Sequence, residues 1–199
     1  MTVKLSHLDT VLLELGLPTS AKGTSTPRTV SKGRLLKLMN DSDIDVLGAV
    51  YGFIMNVKDA RRVDPPLLYS DYQKFLLSYY ERCFLEDPQS VWADSRYSAG
   101  WDFVNWFSHI WEDDSIPRSG VAELKELLAR LYREGDEKLR TCIVTATLEH
   151  LFEQKSIRRY FEDWRTATVL GTAYQQAMEW ANAGGKSPLG GRQPRAKRQ

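Results

Sequence analysis

Apolar residues recur along most of this chain at the three- and four-residue spacing of an amphipathic helix. No segment between two turn signals alternates between apolar and polar positions, so the pattern predicts no strand. We therefore expect an all-α fold, a single-domain multi-helix bundle over residues 1–183. The predicted helices cover residues 3–15, about 42–58, 70–85, 96–111, 121–133, 136–152, 157–164 and 168–181.

The segment 96–111 is the most apolar of these helices, and it has large aromatic side chains in nearly every direction. A helix that is apolar all round is normally buried among other helices. The pattern therefore predicts that this helix lies at the centre of the bundle.

A pair of helices is predicted in the C-terminal half, on either side of Gly135. The first carries Leu124, Leu128 and Leu131 at helical spacing, and a glycine commonly ends a helix. Asp136 follows at once and is a favoured N-cap for the next helix. Two helices joined by so short a turn are expected to form an αα-hairpin.

Two segments lack the helical pattern. Residues 18–32 are rich in Thr, Ser, Gly and Pro, which predicts a flexible loop. Residues 184–199 combine Gly and Pro with basic side chains and no acid, which predicts a disordered basic tail. The basic residues of this tail are Lys186, Arg192, Arg195, Lys197 and Arg198.

The charge of the chain is divided unequally between this tail and the rest. The whole chain has 27 Lys and Arg against 26 Asp and Glu, a net charge of +1. Without the five cations of the tail, 22 basic residues face 26 acidic ones, which is a net charge of −4. The body of the chain is therefore mildly acidic and is not strongly attracted to nucleic acid.

Cysteine usage and hydropathy bear on the compartment. Cys83 and Cys142 both lie in apolar helical patterns, and two thiols build neither a disulfide framework nor a zinc site. We expect them to be reduced core residues of a cytoplasmic protein. No stretch reaches the roughly 18 apolar residues that a membrane span needs, so no membrane partner is expected.

Three alternating carboxylates resemble the start of a calcium loop. Asp41, Asp43 and Asp45 have the right spacing, but the sixth and twelfth positions are Val46 and Gly52 where Gly and Glu are required. We interpret the three residues as carboxylates at the positive end of a helix dipole.

A histidine between two glutamates is the other candidate metal site. His150 has Glu149 before it and Glu153 three residues later on the same predicted helix. Metal sites in helical bundles take carboxylates from several facing helices, and no second matching Glu-x-x-His motif is present. We interpret His150 as a structural residue and predict no metal.

The sequence also contains no complete cofactor-binding or catalytic motif. Gly185, Lys186 and Ser187 imitate the end of a phosphate loop, but the first glycine of that motif would fall on Trp180, after a helix. No serine or cysteine lies in a nucleophile-elbow pattern. We expect no cofactor, no small-molecule substrate and no enzymatic activity. An enzyme built from scattered Glu, Asp and Tyr residues stays open as an alternative.

The segment from Gly135 reads Gly-Asp-Glu-Lys-Leu-Arg-Thr-Cys-Ile-Val-Thr-Ala-Thr-Leu-Glu-His-Leu-Phe-Glu. It resembles the second helix of a HEAT repeat, with a charged turn, an arginine, an apolar run and a Leu-Glu-x-Leu ending. Residues 120–181 as a whole resemble the helical immunity proteins of bacterial polymorphic and contact-dependent toxin systems. The resemblance implies a HEAT-like hairpin and a non-enzymatic inhibitor that binds a cognate toxin domain in the cytoplasm.

A mildly acidic inhibitor suits a basic nuclease toxin, because complementary charges speed association. The candidate partner-binding residues are acids near predicted helix ends: Glu112, Asp113, Asp114, Glu134, Asp136 and Glu137. The alternative is a nucleic-acid-associated regulatory protein that uses the basic tail. Nucleic acid is the less favoured partner, because carboxylates beside the aromatic helix repel phosphate.

Overall fold

The computed structural model of the protein describes residues 5–19 and 28–182. Helices dominate these residues, which confirms the predicted all-α class. The helices are α1 (His7–Leu15), α2 (Lys32–Leu38), α3 (Ile44–Met55), α4 (Val57–Ala60), α5 (Tyr69–Glu86), α6 (Arg96–Glu112), α7 (Arg118–Glu134), α8 (Glu137–Cys142), α9 (Glu149–Leu151), α10 (Lys155–Tyr160) and α11 (Leu170–Asn182). A π-helical segment, Ile143–Leu148, joins α8 to α9, and a 3-10 helix, Glu162–Thr166, lies between α10 and α11.

The chain divides into two compact units, residues 1–100 (unit 1) and residues 101–199 (unit 2). The boundary falls inside α6, whose first residues belong to unit 1 and whose remainder belongs to unit 2. The single domain over residues 1–183 stays a prediction. In the described part of either unit, no helix is long and apolar enough to cross a membrane.

Helix α3 forms the core of unit 1, where it packs against α1, α2 and α5. Asp43 is its N-cap, and its carboxylate accepts a hydrogen bond from the backbone N–H of Asp45 at 2.9 Å. Gly48 allows another segment to approach closely, because a Cβ there would overlap the backbone of Trp92 and Ala93. The buried residues of this helix are Val46, Leu47, Gly48, Ala49, Val50, Phe53 and Ile54.

The C-terminus of α1 is fixed in two ways. Gly16 ends the helix in the left-handed conformation, with φ at 68°, which glycine adopts without steric cost. The guanidinium of Arg62 donates hydrogen bonds to the carbonyl oxygens of Leu15 at 2.8 Å and Arg28 at 2.9 Å. It also pairs with the carboxylate of Asp59 at 2.7 Å, so one side chain joins three segments of unit 1.

Two very short strands depart from the sequence prediction of no strand. β1 (Val30–Ser31) and β2 (Val63–Asp64) pair in parallel, with Val30 opposite Val63. Two residues are too few to produce an alternating pattern, so hydrophobic periodicity carries no signal for them. The strands tie the start of α2 to the chain that follows α4.

The segments predicted to lack helices fall largely outside the described residues. Residues 20–27 of the predicted 18–32 loop are not among them, and neither is the predicted 184–199 tail. At its C-terminal end, the predicted loop overlaps β1 and Lys32, the first residue of α2.

Tyr79 is the centre of a buried polar contact in unit 1. Its hydroxyl donates to the carboxylate of Asp94 at 3.1 Å and accepts from the backbone N–H of Asp94 at 3.0 Å. The ring stacks on that of Tyr51, with centroids 4.8 Å apart.

Burial raises the pKa of the neighbouring Cys83 thiol to about 12, so this cysteine is a protonated core residue at neutral pH. Cys83 and Cys142 are both free and buried.

The part of α6 that lies in unit 2 is buried on one face only. That face carries Phe103, Phe107 and Ile110. Another face is exposed, and its residues follow one another at helical spacing: Trp101, Asn105, His109 and Glu112. The prediction of a helix surrounded by others is therefore wrong, since Trp101 is 51% exposed. Large aromatic residues are highly buried on average, and the sequence pattern does not show which of them is the exception.

Helices α7 and α8 are joined through Gly135 and Asp136, as the sequence predicts. Asp136 is the N-cap of α8, and its carboxylate accepts from the N–H of Leu139 at 2.7 Å. Gly135 has extended backbone, with φ at −73°, so it is not a left-handed cap. A Cβ there would lie 2.6 Å from the carbonyl oxygen of Leu131 and 2.8 Å from the side chain of Leu139. The close approach of the two helices therefore requires this glycine.

The helix that follows this turn changes its hydrogen-bond register midway. The segment Ile143–Leu148 is π-helical, and at its end the N–H of Glu149 donates to the carbonyl of Val144, five residues earlier. Helix α11 packs against this segment, against α9 and against α7. π-Helical turns are rare and frequently lie at functional sites. Glu149 and His150 directly follow this π-helical turn.

Candidate partner-binding surface

The first group of predicted partner-binding carboxylates lies at the end of α6. Glu112 and Asp114 are exposed, and Asp114 approaches the guanidinium of Arg118 at 3.7 Å. Asp113 accepts hydrogen bonds from the hydroxyl of Ser115 at 2.6 Å and from its backbone N–H at 2.9 Å. These two bonds hold the pKa of Asp113 below its usual range. Asp113 therefore shapes the turn after α6, whereas Glu112 and Asp114 face solvent.

The second group lies at the junction of α7 and α8. Glu134 and Glu137 are exposed, and Asp136 is the exposed N-cap of α8. Within the described part of the chain, Glu112, Glu134 and Glu137 form no hydrogen bond or ion pair. These three carboxylates therefore have no evident structural task.

Helix α7 separates the two groups. One group precedes its first turn, and the other begins at its last residue, Glu134. The helix has 17 residues, which at about 1.5 Å per residue gives a length of roughly 25 Å. The six predicted residues thus form two separate acidic sets and not one patch.

The acidic surplus of the body of the chain lies in residues 101–182. Residues 101–182 contain 14 Asp and Glu against 10 Lys and Arg, whereas residues 1–100 contain 12 of each. The mild negative charge predicted for the body of the chain is therefore carried by residues 101–182, which include α7.

A different set of ionisable groups gathers where the π-helical segment ends. The two ring nitrogens of His150 each face a carboxylate: Nε2 lies 3.4 Å from Glu149 Oε1, and Nδ1 lies 3.2 Å from Glu153 Oε1. The indole of Trp101 stacks on the imidazole, with centroids 3.9 Å apart and planes inclined by 29°. We call Trp101, Glu149, His150 and Glu153 the His150 cluster.

Glu149 is the most perturbed member of the His150 cluster. Its side chain is only 16% exposed, and its Oε2 atom is buried without a hydrogen-bond partner. Burial, together with the nearby charge of Glu153, raises the pKa of Glu149 to about 7. A carboxyl group that gains and loses its proton near neutral pH is more typical of functional sites than of ordinary surfaces.

Each ring nitrogen of His150 has a carboxylate nearby, and its interpretation as a structural residue stays a prediction. The sequence placed Glu149 and Glu153 beside it but gave no sign of Trp101, which lies on another helix. Nor did the helical pattern indicate the π-helical turn before Glu149. Both features depend on packing between distant segments, which periodicity does not report.

The carboxylates of Asp41 and Asp43 have structural contacts, whereas one carboxylate oxygen of Asp45 is buried without a hydrogen-bond partner. Asp41 pairs with His7 at 2.9 Å and accepts from the N–H of Asp43 at 3.0 Å, and Asp43 caps α3. Among residues 5–19 and 28–182, no group of three or more His, Cys, Asp or Glu side chains is arranged to hold a metal ion.

A shallow groove of about 310 Å³ runs beside α7, with Lys125 in its wall. The ammonium pairs with Asp163, donates to the carbonyl of Tyr160 at 2.8 Å, and lies 4.5 Å from the centroid of the Tyr160 ring. Its charge is thus already neutralised within unit 2. Lys125 joins α7 to α10 and to the 3-10 helix, and it is not available to bind an anion.

No family model, no curated protein and no solved structure matches this chain. Its function is therefore inferred from the charges, exposure and contacts of its own residues.

Proposed function

We propose that the chain is a protein-binding helical domain that acts in the cytoplasm as an immunity-type inhibitor of a cognate toxin. One observation carries the proposal: Glu112, Glu134 and Glu137 are exposed at the two ends of α7 and have no partner in the described chain. Exposed, uncommitted carboxylates attract a partner with basic side chains and speed its association.

The spacing of the two acidic groups suits a protein partner. They lie roughly 25 Å apart along α7. A standard protein interface buries about 800 Å² on each partner, a patch roughly 30 Å across. A single protein that covers α7 would therefore reach both groups, whereas a small ligand would reach only one.

The charge of residues 101–182 favours a basic partner. These residues carry four more acidic than basic side chains. A nuclease toxin has a basic surface because its substrate is a polyanion. An acidic inhibitor that covers such a surface would compete with the nucleic acid for the same cations.

The proposal is tested by co-expression with the toxin encoded by the neighbouring upstream gene. We expect the chain to restore growth and to copurify with the toxin domain. The variant Glu134→Lys/Glu137→Lys reverses two of the uncommitted charges, and we expect it to weaken the complex at least about tenfold, through about 1.4 kcal/mol or more of lost attraction.

A matched control makes this result specific. The variant Glu162→Lys/Glu179→Lys changes the net charge equally, at two exposed positions that also lack a partner in the described chain. It is expected to leave the complex nearly unchanged. Absence of both rescue and complex with the unaltered chain would overturn the proposal. Salt-sensitive binding to DNA or RNA that is lost with residues 184–199 would support the nucleic-acid alternative.

A further inference from the structure

The His150 cluster brings together three groups that exchange protons with water. The imidazole lies between Glu149 and Glu153, within 3.4 Å of one and 3.2 Å of the other. With both carboxylates ionised and the imidazole neutral, the cluster has a charge of −2, and each added proton removes one unit of it.

The geometry disfavours full ionisation of this cluster. One oxygen of Glu149 is buried and accepts no hydrogen bond, so an ionised carboxylate there would lack a partner on that side. The second carboxylate, Glu153, adds repulsion, and together these effects raise the pKa of Glu149 to about 7. A bound proton removes both penalties.

The charge that shifts the pKa of Glu149 comes from within the His150 cluster and not from the elements around it. The π-helical segment carries no ionisable side chain. The ionisable side chains on the other elements that pack against α9 are Asp102, His109 and Glu112 of the part of α6 that lies in unit 2, and Tyr174 and Glu179 of α11. The charge that acts on Glu149 is that of Glu153, within the cluster itself.

Trp101 stacks on His150 and is itself exposed, so it connects the His150 cluster to the protein surface. Its indole is 51% exposed, and it is held in place by the imidazole of His150 on one side. Tryptophan is among the residues most enriched at the energetic centres of protein interfaces. A rigidly held indole offers such a contact at a lower entropic cost than a mobile one.

We propose that the Glu149 carboxyl group holds a proton in its buried position, and that loss of this proton to water releases the Trp101 indole from His150. Once ionised, the Glu149 carboxylate is driven from its buried position toward solvent and away from Glu153. His150 then loses its contact at Nε2, and the imidazole no longer supports the indole. The exposed surface around Trp101 is therefore ordered at lower pH and mobile at higher pH.

Nuclear magnetic resonance of the full chain tests this directly, without any partner. The indole Nε1–H signal of Trp101 is assigned with Trp101→Phe, and the His150 ring signal with His150→Gln. Both are followed between about pH 5 and 9, the range in which histidine and perturbed carboxyl groups titrate. We expect the two signals to move together, through one transition near pH 7.

Two variants identify the groups responsible. Glu149→Gln is expected to abolish the transition of the Trp101 signal, and Glu153→Gln to move it to lower pH, because a neighbouring negative charge is removed. Glu179→Gln, on the adjacent α11, is the matched control and should leave the midpoint unchanged. A Trp101 signal that is constant over this range in the unaltered chain overturns the proposal, whether or not the variants fold. So does a transition that persists unchanged in a folded Glu149→Gln variant.

Discussion

The guanidinium of Arg62 donates a hydrogen bond to the carbonyl oxygen of Leu15, 47 residues earlier in the chain, at 2.8 Å. This bond supplies a donor to the C-terminal turn of α1, where backbone carbonyls lack partners within the helix. The same side chain also binds the carbonyl of Arg28 and the carboxylate of Asp59. Unit 1 thus relies on one half-buried arginine to connect segments that are distant in sequence.

Replacing Arg62 should therefore destabilise unit 1. We expect Arg62→Ala to lower the free energy of unfolding by roughly 2–4 kcal/mol, because two carbonyls and a carboxylate lose a charged donor. Urea denaturation followed by circular dichroism measures the change. The exposed neighbour provides the control: Arg61→Ala should change stability by less than about 0.5 kcal/mol. Equal effects of the two substitutions would contradict this role.

Two glycines in helices should respond to alanine with opposite signs. At Gly48, the new Cβ would overlap the backbone of Trp92 and Ala93, which cannot swing aside like a flexible side chain. We expect Gly48→Ala to cost about 1–3 kcal/mol of stability. At Gly33 no atom lies within 4 Å of the new Cβ, so Gly33→Ala should stabilise α2 by up to about 1 kcal/mol. Thermal unfolding of both variants distinguishes these outcomes.

Asp136 serves both as a helix cap and as a candidate partner contact, and two substitutions separate these roles. Asp136→Ala should lower stability by about 1 kcal/mol, because the N–H of Leu139 loses its acceptor. Asp136→Asn keeps a capping oxygen but removes the charge, so it should fold with nearly unaltered stability. If the residue also attracts a basic partner, Asp136→Asn will slow association measured by stopped flow at low salt. An unchanged association rate would show that Asp136 caps the helix and does not attract the partner.

The stability of unit 2 should fall as the pH rises through the neutral range. The pKa of Glu149 is about 7 in the folded chain and 4.5 in the unfolded reference, so folding favours the protonated form. Its contribution is complete below about pH 4.5 and is lost as the pH approaches 7. We expect Glu149→Gln to be more stable than the unaltered chain at pH 8, by roughly 1–3 kcal/mol.

Urea denaturation of the unaltered chain and of Glu149→Gln at several pH values measures this difference. The gap between the two proteins should widen from acid to neutral pH. Glu134→Gln, at an exposed position without a partner in the described chain, is the control and should follow the unaltered chain throughout. A Glu149→Gln variant that is less stable at pH 8 would show that the ionised carboxylate is well accommodated.

The sequence predicted those features that depend on neighbouring residues. Apolar spacing located the main helices, and the cap at Asp136 followed from the local chemistry of aspartate. The end of the helix predicted to reach about residue 58 was less accurate. There Asn56 interrupts α3 and caps α4, a competing local signal that the apolar pattern obscured.

Features that depend on distant segments were not predictable in this way. The apolar pattern of α6 gave no reason to expect that Trp101 is half exposed, because exposure depends on which helices pack beside it. The close contact at Gly48 requires a loop more than 40 residues away. For the candidate surface, the sequence identified acids near helix ends. Only the structure shows that Asp113 accepts two hydrogen bonds from Ser115.

The π-helical turn between α8 and α9 sets the rotational phase of everything that follows it. Each residue of a helix turns the chain by about 100°, since a turn contains 3.6 residues. If Ile143–Leu148 were α-helical with the same number of residues, Glu149 and His150 would be rotated about the helix axis by roughly that angle. The imidazole would then point away from the indole it now supports. One surplus residue inside a helix thus determines which side chains meet at the surface of unit 2.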